Sequence, residues 1–210
     1  MCDGYILLAT SFPMGLSNAL IADAEQHIFT PPHPRAGGAF AMASLNDQHA
    51  APHRAAAWLA EAAQREGIHD FVPNEASYQR YLPDGNGLPP HRDQRYYASC
   101  IAIVTLQGVA TFAIHASRAY EDVVTQWTTQ PGQVILLRGW QADNSRDPRP
   151  YHRIDPPFGE PRLMFQVRHN LAAATPPSPL LDTLTKTEVD QAIHLAARPA
   201  APRRENDPRF

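Results

Sequence analysis

The spacing of hydrophobic positions changes several times along this chain. Tyr5 to Ala9 is an apolar run of strand length, and from Ser17 to Phe29 the spacing becomes helical, with Leu20, Ile21, Ala24 and Ile28 on one stripe. Pro31, Pro32 and Pro34 stop that helix, and Gly37-Gly38 precede a strand-like run from Ala39 to Leu45. The clearest helix follows: Pro52 sits near its first turn, Ala55 to Leu59 and Ala62-Ala63 form its body, and Gly67 is placed to end it. From Glu75 onward the chain reads as short strands between turns: Ala76–Leu82, Ser99–Leu106, Val109–His115, Val123–Trp127, Gln133–Leu137 and Leu163–Arg168. Two helices followed by short strands predict an α+β, mainly β, architecture: a β-sandwich or jelly-roll barrel with the N-terminal helices packed outside.

After Leu171 the character shifts. Residues 172–179 are Pro-rich and read as a linker. Thr185-Lys-Thr-Glu188 has capping-box spacing before a short helical stripe of Val189, Ile193 and Ala196. The polar stretch from Pro199 to Phe210 is expected to be disordered. The expectation is therefore one domain over residues 1–171 and an appendage over 172–210. With 43% hydrophobic residues in 210, the chain can bury a sizeable core. A net charge of -3 gives no global attraction to phosphate backbones, although a local basic groove could hide inside that total. Cys2 and Cys100 are the only cysteines, too few for a Cys-rich zinc module or a disulfide framework. The N-terminal region carries no basic n-region, and its apolar run is too short for a signal sequence or a membrane span. A soluble cytoplasmic protein is expected.

The candidate chemistry centres on Pro90-His91-Arg92-Asp93. On an extended backbone His91 and Asp93 project from the same face, which supplies two members of a facial triad of two His and one carboxylate. A His-x-Asp match is weak alone, and a histidine on a surface loop is its plain alternative. Three later histidines compete for the third place. His115 follows Asp93 too soon, and His169 alternates with Arg168 in a strand, which leaves His152 in Pro150-Tyr151-His152-Arg153-Ile154. Arg162 and Arg168 have an even spacing that aims both at one face of a strand. Two buried guanidinium groups call for an anionic partner such as a dicarboxylate, whereas two arginines at strand ends could equally reach solvent.

The order Tyr81, His91-x-Asp93, Tyr151-His152-x-Ile154 and Arg162-x5-Arg168 resembles the AlkB-like branch of the Fe(II)/2-oxoglutarate-dependent dioxygenases over about residues 5–171. The resemblance implies a double-stranded β-helix, with Fe(II) held by His91, Asp93 and His152. It implies 2-oxoglutarate as cosubstrate, its far carboxylate bound by Arg162 and Tyr81, with Gln79 also in contact and Arg168 near its chelating end or the substrate. It further implies consumption of O2, release of succinate and CO2, and hydroxylation or oxidative demethylation at a C–H bond. Asp93 fills the place that a halide would need, which argues against halogenation.

Three departures bear on substrate. Repair members of the family carry an acidic residue two positions beyond the metal carboxylate, where this chain has Arg95 followed by Tyr96-Tyr97. They have a longer nucleotide-recognition lid where only Asn46 to Ala51 stands here, and they carry Asn and Thr between the two arginines where this chain has Met164 and Gln166. Arg95, Tyr96 and Trp140 are the candidate substrate residues. A small-molecule substrate, with an anionic one suited to Arg95, is the leading expectation. Demethylation of alkylated DNA or RNA bases is the alternative, and a noncatalytic metal-binding β-barrel module is the third reading.

Overall fold

The fold is described from a computed structural model, which defines residues 4–30, 37–141 and 147–172, all within the first of two compact units, Met1–Ala174 and Thr175–Phe210. The expected linker, short helix and tail lie almost wholly outside the described residues. Twelve elements follow one another: β1 (Tyr5–Leu7), α1 (Met14–Ala24), β2 (Gly38–Ala43), α2 (Ala51–Arg65), β3 (Glu75–Tyr81), β4 (Leu88–His91), β5 (Tyr97–Gln107), β6 (Thr111–His115), β7 (Val123–Thr128), β8 (Val134–Arg138), β9 (Tyr151–Ile154) and β10 (Arg162–Asn170). A six-stranded antiparallel sheet, ordered β1-β8-β5-β10-β3-β2, faces a four-stranded one, ordered β4-β9-β6-β7. The described ladders form two facing sheets of jelly-roll type, with helices outside, and do not close into a barrel. Neither described helix is long and apolar enough to cross a membrane.

Strand alternation divides the larger sheet between two environments. Along β10, Leu163, Phe165 and Val167 join the core under the helices, with Leu20, Ala24, Ala55, Leu59 and Ala63 from α1 and α2. Between them, Arg162, Met164, Gln166 and Arg168 line a pocket between the sheets. Strand β3 repeats the division, with Ala76 and Tyr78 under the helices and Gln79 and Tyr81 in the pocket. Ile101, Ile103, Ile135, Leu137 and Met164 of the larger sheet meet Phe112, Ile114 and Ile154 of the smaller one and make the second core. That second core fixes the distance between the sheets.

Two elements differ from the sequence reading. The first helix begins at Met14 and ends at Ala24, because Pro13 occupies its N-cap and turns form from Asp23 to Gln26 and from Ala24 to His27. Ile28, placed by periodicity on the helical stripe, is consequently 95% exposed. The strands β4 and β9 are four residues each and lacked a periodic signal, yet they carry both triad histidines. Two glycines permit close approaches near the site, one at β9 and one between β2 and β3. Gly87, at φ +61°, leaves no room for a side chain against the backbone of Ile154 in β9, and a Cβ on Gly38 would lie 2.8 Å from the Tyr81 ring.

Leu59 is fully buried between the helices and the larger sheet. Leu59→Ala is expected to lower the unfolding free energy by about 2–5 kcal/mol in urea titrations; a loss below about 1 kcal/mol would show that the helix layer is not part of the cooperative core.

Candidate active site

His91 and His152 are register partners across the β4–β9 ladder, with ring centroids 4.3 Å apart and ring planes inclined by 52°. Each ring is oriented from behind by a prolyl carbonyl two residues upstream. His91 Nδ1 donates to Pro89 O at 2.9 Å, and His152 Nδ1 donates to Pro150 O at 3.4 Å. A carbonyl can only accept, so Nδ1 carries a proton, and in the neutral ring Nε2 then presents its lone pair. Outer hydrogen bonds of this kind fix the tautomer of a ligating histidine. Asp93 lies two residues past the end of β4, its Oδ2 at 3.5 Å from His152 Nε2. One ligand atom from each of His91, Asp93 and His152 lies within 4.8 Å of the others, a spacing that one ion could bridge. Two imidazoles and a carboxylate are a donor set suited to Fe(II).

The electrostatics favour the ligating forms. Burial, with repulsion from His91, lowers His152 to about 4, so its ring is neutral at pH 7. Burial pushes the Asp93 carboxyl up, but His152, His91, Arg168 and Arg149 together outweigh it and hold the group below the usual carboxylate range. Asp93 therefore carries its charge at neutral pH.

The two arginines of β10 reach the pocket from the same face, as their spacing predicts, but their surroundings differ. Arg162 is 1% exposed, and its hydrogen bonds go to hydroxyls: Nη2 to Thr105 Oγ1 at 2.9 Å and Nε to Thr129 Oγ1 at 3.3 Å. Its Nη1 is buried with no partner among the described residues. Burial lowers this guanidinium to about 10, which still leaves it charged at neutral pH. A carboxylate from a ligand would satisfy both the charge and the orphaned N–H. Tyr81, opposite Arg162 in the β3–β10 ladder, is raised to about 12 by burial and keeps its proton, which it donates to Gln79 Oε1 at 2.7 Å. Arg168 is instead neutralised by Glu75, Nη1 to Oε1 at 2.6 Å. Glu75 also accepts from Tyr97 Oη at 3.0 Å and from Asn170 Nδ2 at 2.5 Å.

His91, Asp93, His152, Gln79, Tyr81, Arg162 and Arg168 thus share one pocket, whose apolar wall is Leu88, Ile103, Phe112, Ile154 and Met164. Arg95, Tyr96 and Trp140 are outside that lining. Arg95 lies over the Trp140 ring at 4.8 Å, and Tyr96 packs edge-on against Tyr97 at 4.5 Å. His115 is buried with Nδ1 facing Ala119 O at 3.1 Å, apart from the triad. Sequence reasoning missed Glu75, although its position was legible: in an antiparallel pair with Tyr81 opposite Arg162, Glu75 falls opposite Arg168. It also missed Thr105 and Thr129, which carried no motif.

No protein-family model and no curated protein matches the sequence. Solved structures do match the fold. OsALKBH1 aligns with TM-score 0.62 at 12% identity, covering 80% of this chain and 99% of its own. A prolyl-4-hydroxylase from Pseudomonas putida aligns with TM-score 0.56 at 19% identity, covering 80% and 92%. HygX from Streptomyces hygroscopicus, with nickel, 2-oxoglutarate and hygromycin B bound, aligns with TM-score 0.51 at 13% identity, covering 80% and 83%. The chain has the AlkB-like 2-oxoglutarate oxygenase fold.

The lowered His152 has a consequence for stability. Its unfolded value is about 6.5, so between about 6.5 and about 4 the unfolded chain binds the extra proton and stability falls as pH falls. Urea unfolding of the metal-free chain is expected to lose more stability from pH 7 to pH 5 than the His152→Gln variant does; equal losses would remove His152 as a source of acid sensitivity.

Proposed function

We propose that this protein is an Fe(II)- and 2-oxoglutarate-dependent dioxygenase that oxidises a C–H bond of a small-molecule substrate, by hydroxylation or oxidative demethylation. The observation that carries the reading is the pairing, in one pocket, of the His91/Asp93/His152 cluster with a buried Arg162 that has no carboxylate partner among the described residues. A structural zinc site would account for the first and leave the second without a purpose.

In this reading His91, Asp93 and His152 hold the iron, while Arg162, Tyr81 and Gln79 hold the far carboxylate of 2-oxoglutarate. Iron and 2-oxoglutarate together supply O2 activation, with succinate and CO2 as the coproducts and the substrate C–H as the bond oxidised. The protein binds, orients and excludes water. The neutral His152 ring and the ionised Asp93 carboxylate are ready to ligate without any proton loss at neutral pH. Arg162 presents the unpartnered Nη1 to the far carboxylate, and the protonated Tyr81 hydroxyl can turn from Gln79 to donate to the same group. Leu88, Ile103, Phe112, Ile154 and Met164 keep the wall dry, which strengthens each of these charged contacts.

Two features support a small-molecule substrate over a nucleic acid base. The connection from β2 to α2 is only residues 44–50, too short for a substantial lid over a flipped base. Just past the metal carboxylate stands the cation Arg95, stacked on Trp140, which would repel an alkylated cationic base and attract an anionic group. A cytoplasmic setting accords with Fe(II) and 2-oxoglutarate chemistry.

The deciding experiment is anaerobic thermal denaturation with Fe(II) and 2-oxoglutarate, followed by an assay for succinate. The pair is expected to raise Tm in the wild type, and His91→Ala or Asp93→Ala to abolish the shift; an unchanged shift in both variants would falsify the metal assignment. Arg162→Met is expected to weaken 2-oxoglutarate binding at least tenfold, a loss of about 1.4 kcal/mol or more, with iron affinity nearly unchanged. Succinate release should rise with members of a panel of amino acids and other small carboxylates. Turnover confined to alkylated oligonucleotides would transfer the substrate to nucleic acid.

A further inference from the structure

The three candidate ligands are not held alike. His91 and His152 sit on paired strands, so the β4–β9 ladder sets their separation. Asp93 follows β4 in a segment outside any strand, where no ladder fixes its backbone. The hydrogen bond that reaches this residue comes from Arg149, whose Nη1 donates to the Asp93 carbonyl. Arg149 precedes His152 by three positions and is only 8% exposed. It is itself gripped by Asp147, through Nε to Oδ1 at 2.9 Å and Nη2 to Oδ2 at 2.5 Å, a bidentate geometry that fixes the plane of the guanidinium. The same Asp147 carboxylate accepts from Arg92 Nη1 at 3.3 Å, and the Arg92 guanidinium covers the Tyr151 ring at 4.0 Å. The Arg149–Asp93, Arg92–Asp147 and Arg92–Tyr151 contacts join the His91–Asp93 segment to the segment leading into His152, and the Arg149–Asp147 pair stiffens the latter.

Resting on the dioxygenase reading, we propose that Arg149 is a positioning residue for the metal centre, clamped by Asp147 so that it holds the Asp93 backbone where strand pairing has ended. The carbonyl and the side chain of Asp93 branch from one Cα, so fixing the carbonyl restricts where the carboxylate can go. Arg92, between the two ligands in sequence, ties the other edge of the same segment to Asp147. The clamp does for the carboxylate what Pro89 and Pro150 do for the rings: it orders the ligand before the ion arrives, so that binding costs less ordering. A lysine would reach the carbonyl with one donor but could not keep both the bidentate grip and the reach.

The test is calorimetric titration of the full chain with Ni(II), a redox-silent probe, alongside metal-free Tm and far-UV circular dichroism. Arg149→Ala is expected to raise the Ni(II) Kd about tenfold or more, Asp147→Asn to raise it by a smaller factor, and Arg149→Lys to recover part of the loss. A residue with a purely structural part would lower the metal-free Tm and leave the Kd of the folded chain at the wild-type value. That outcome in Arg149→Ala overturns the clamp while the metal centre stands. Should Arg149→Ala not fold, Asp147→Asn decides the matter in the same way, because a wild-type Kd there overturns the proposal. No Ni(II) binding by the wild type would remove the metal centre and the clamp with it.

Discussion

A guanidinium sealed between two β-sheets, with no carboxylate partner among the described residues, is a demanding feature of this fold. The charge of Arg162 is stabilised within the protein by the hydroxyls of Thr105 and Thr129, and one of its N–H groups has no partner among the described residues. Burying an unpaired charge costs several kcal/mol even after relaxation, and the lowering of Arg162 to about 10 reports that cost. The group stands on β10, which lies inside the larger sheet between β5 and β3, and its side chain is almost wholly shielded from water. A pocket built around such a group is complementary to an anion that arrives from solution. The comparison with Arg168 sharpens this point. Both arginines lie on one face of one strand, yet Glu75 neutralises Arg168 and nothing in the described protein does so for Arg162. Arg168 has a carboxylate partner, although its Nε is likewise buried without a hydrogen bond, whereas Arg162 has no carboxylate partner among the described residues.

Much of this was legible in the sequence because strands convert spacing into direction. Arg162 and Arg168 six positions apart had to share a face, and Phe165 and Val167 had to oppose them. His152 emerged from three candidates because His169 alternates with a pocket residue and His115 comes too early. The Pro-x-His repeat of Pro89/His91 and Pro150/His152 was also in plain view, although its meaning needs the ring orientation: in each case the upstream carbonyl takes the Nδ1 proton.

What the sequence hid has physical reasons. Strands β4 and β9 are four residues long, too short for a period of two to stand out against proline and loop residues, and their pairing is between segments far apart in the chain. The first helix starts before its most hydrophobic stretch because Pro13 sets the boundary, and a stripe of apolar residues does not reveal where a cap lies. Arg149 and Asp147 belong to no sequence motif. Their role comes from a contact across 56 residues in sequence, between Arg149 and Asp93, which no local pattern encodes.

The division of the site between sheets makes the packing of the second core part of the chemistry. The triad histidines come from the smaller sheet, whereas Tyr81, Arg162, Gln79 and Arg168 come from the larger one. No hydrogen-bonded ladder runs between the two sets among the described strands. Their separation is set instead by side chains meeting face to face, Ile103 and Met164 from one side and Phe112 and Ile154 from the other. Facing sheets stand roughly 10 Å apart, a distance fixed by the size of the residues between them. Close-packed interiors transmit a missing methylene as a shift or a void. In the proposed reading, a dicarboxylate bound between Arg162 and a metal held by His91, Asp93 and His152 would have its span set by apolar residues that make no polar contact with it. These residues appear in no motif because many combinations of similar volume would serve, and what the site requires of them is thickness.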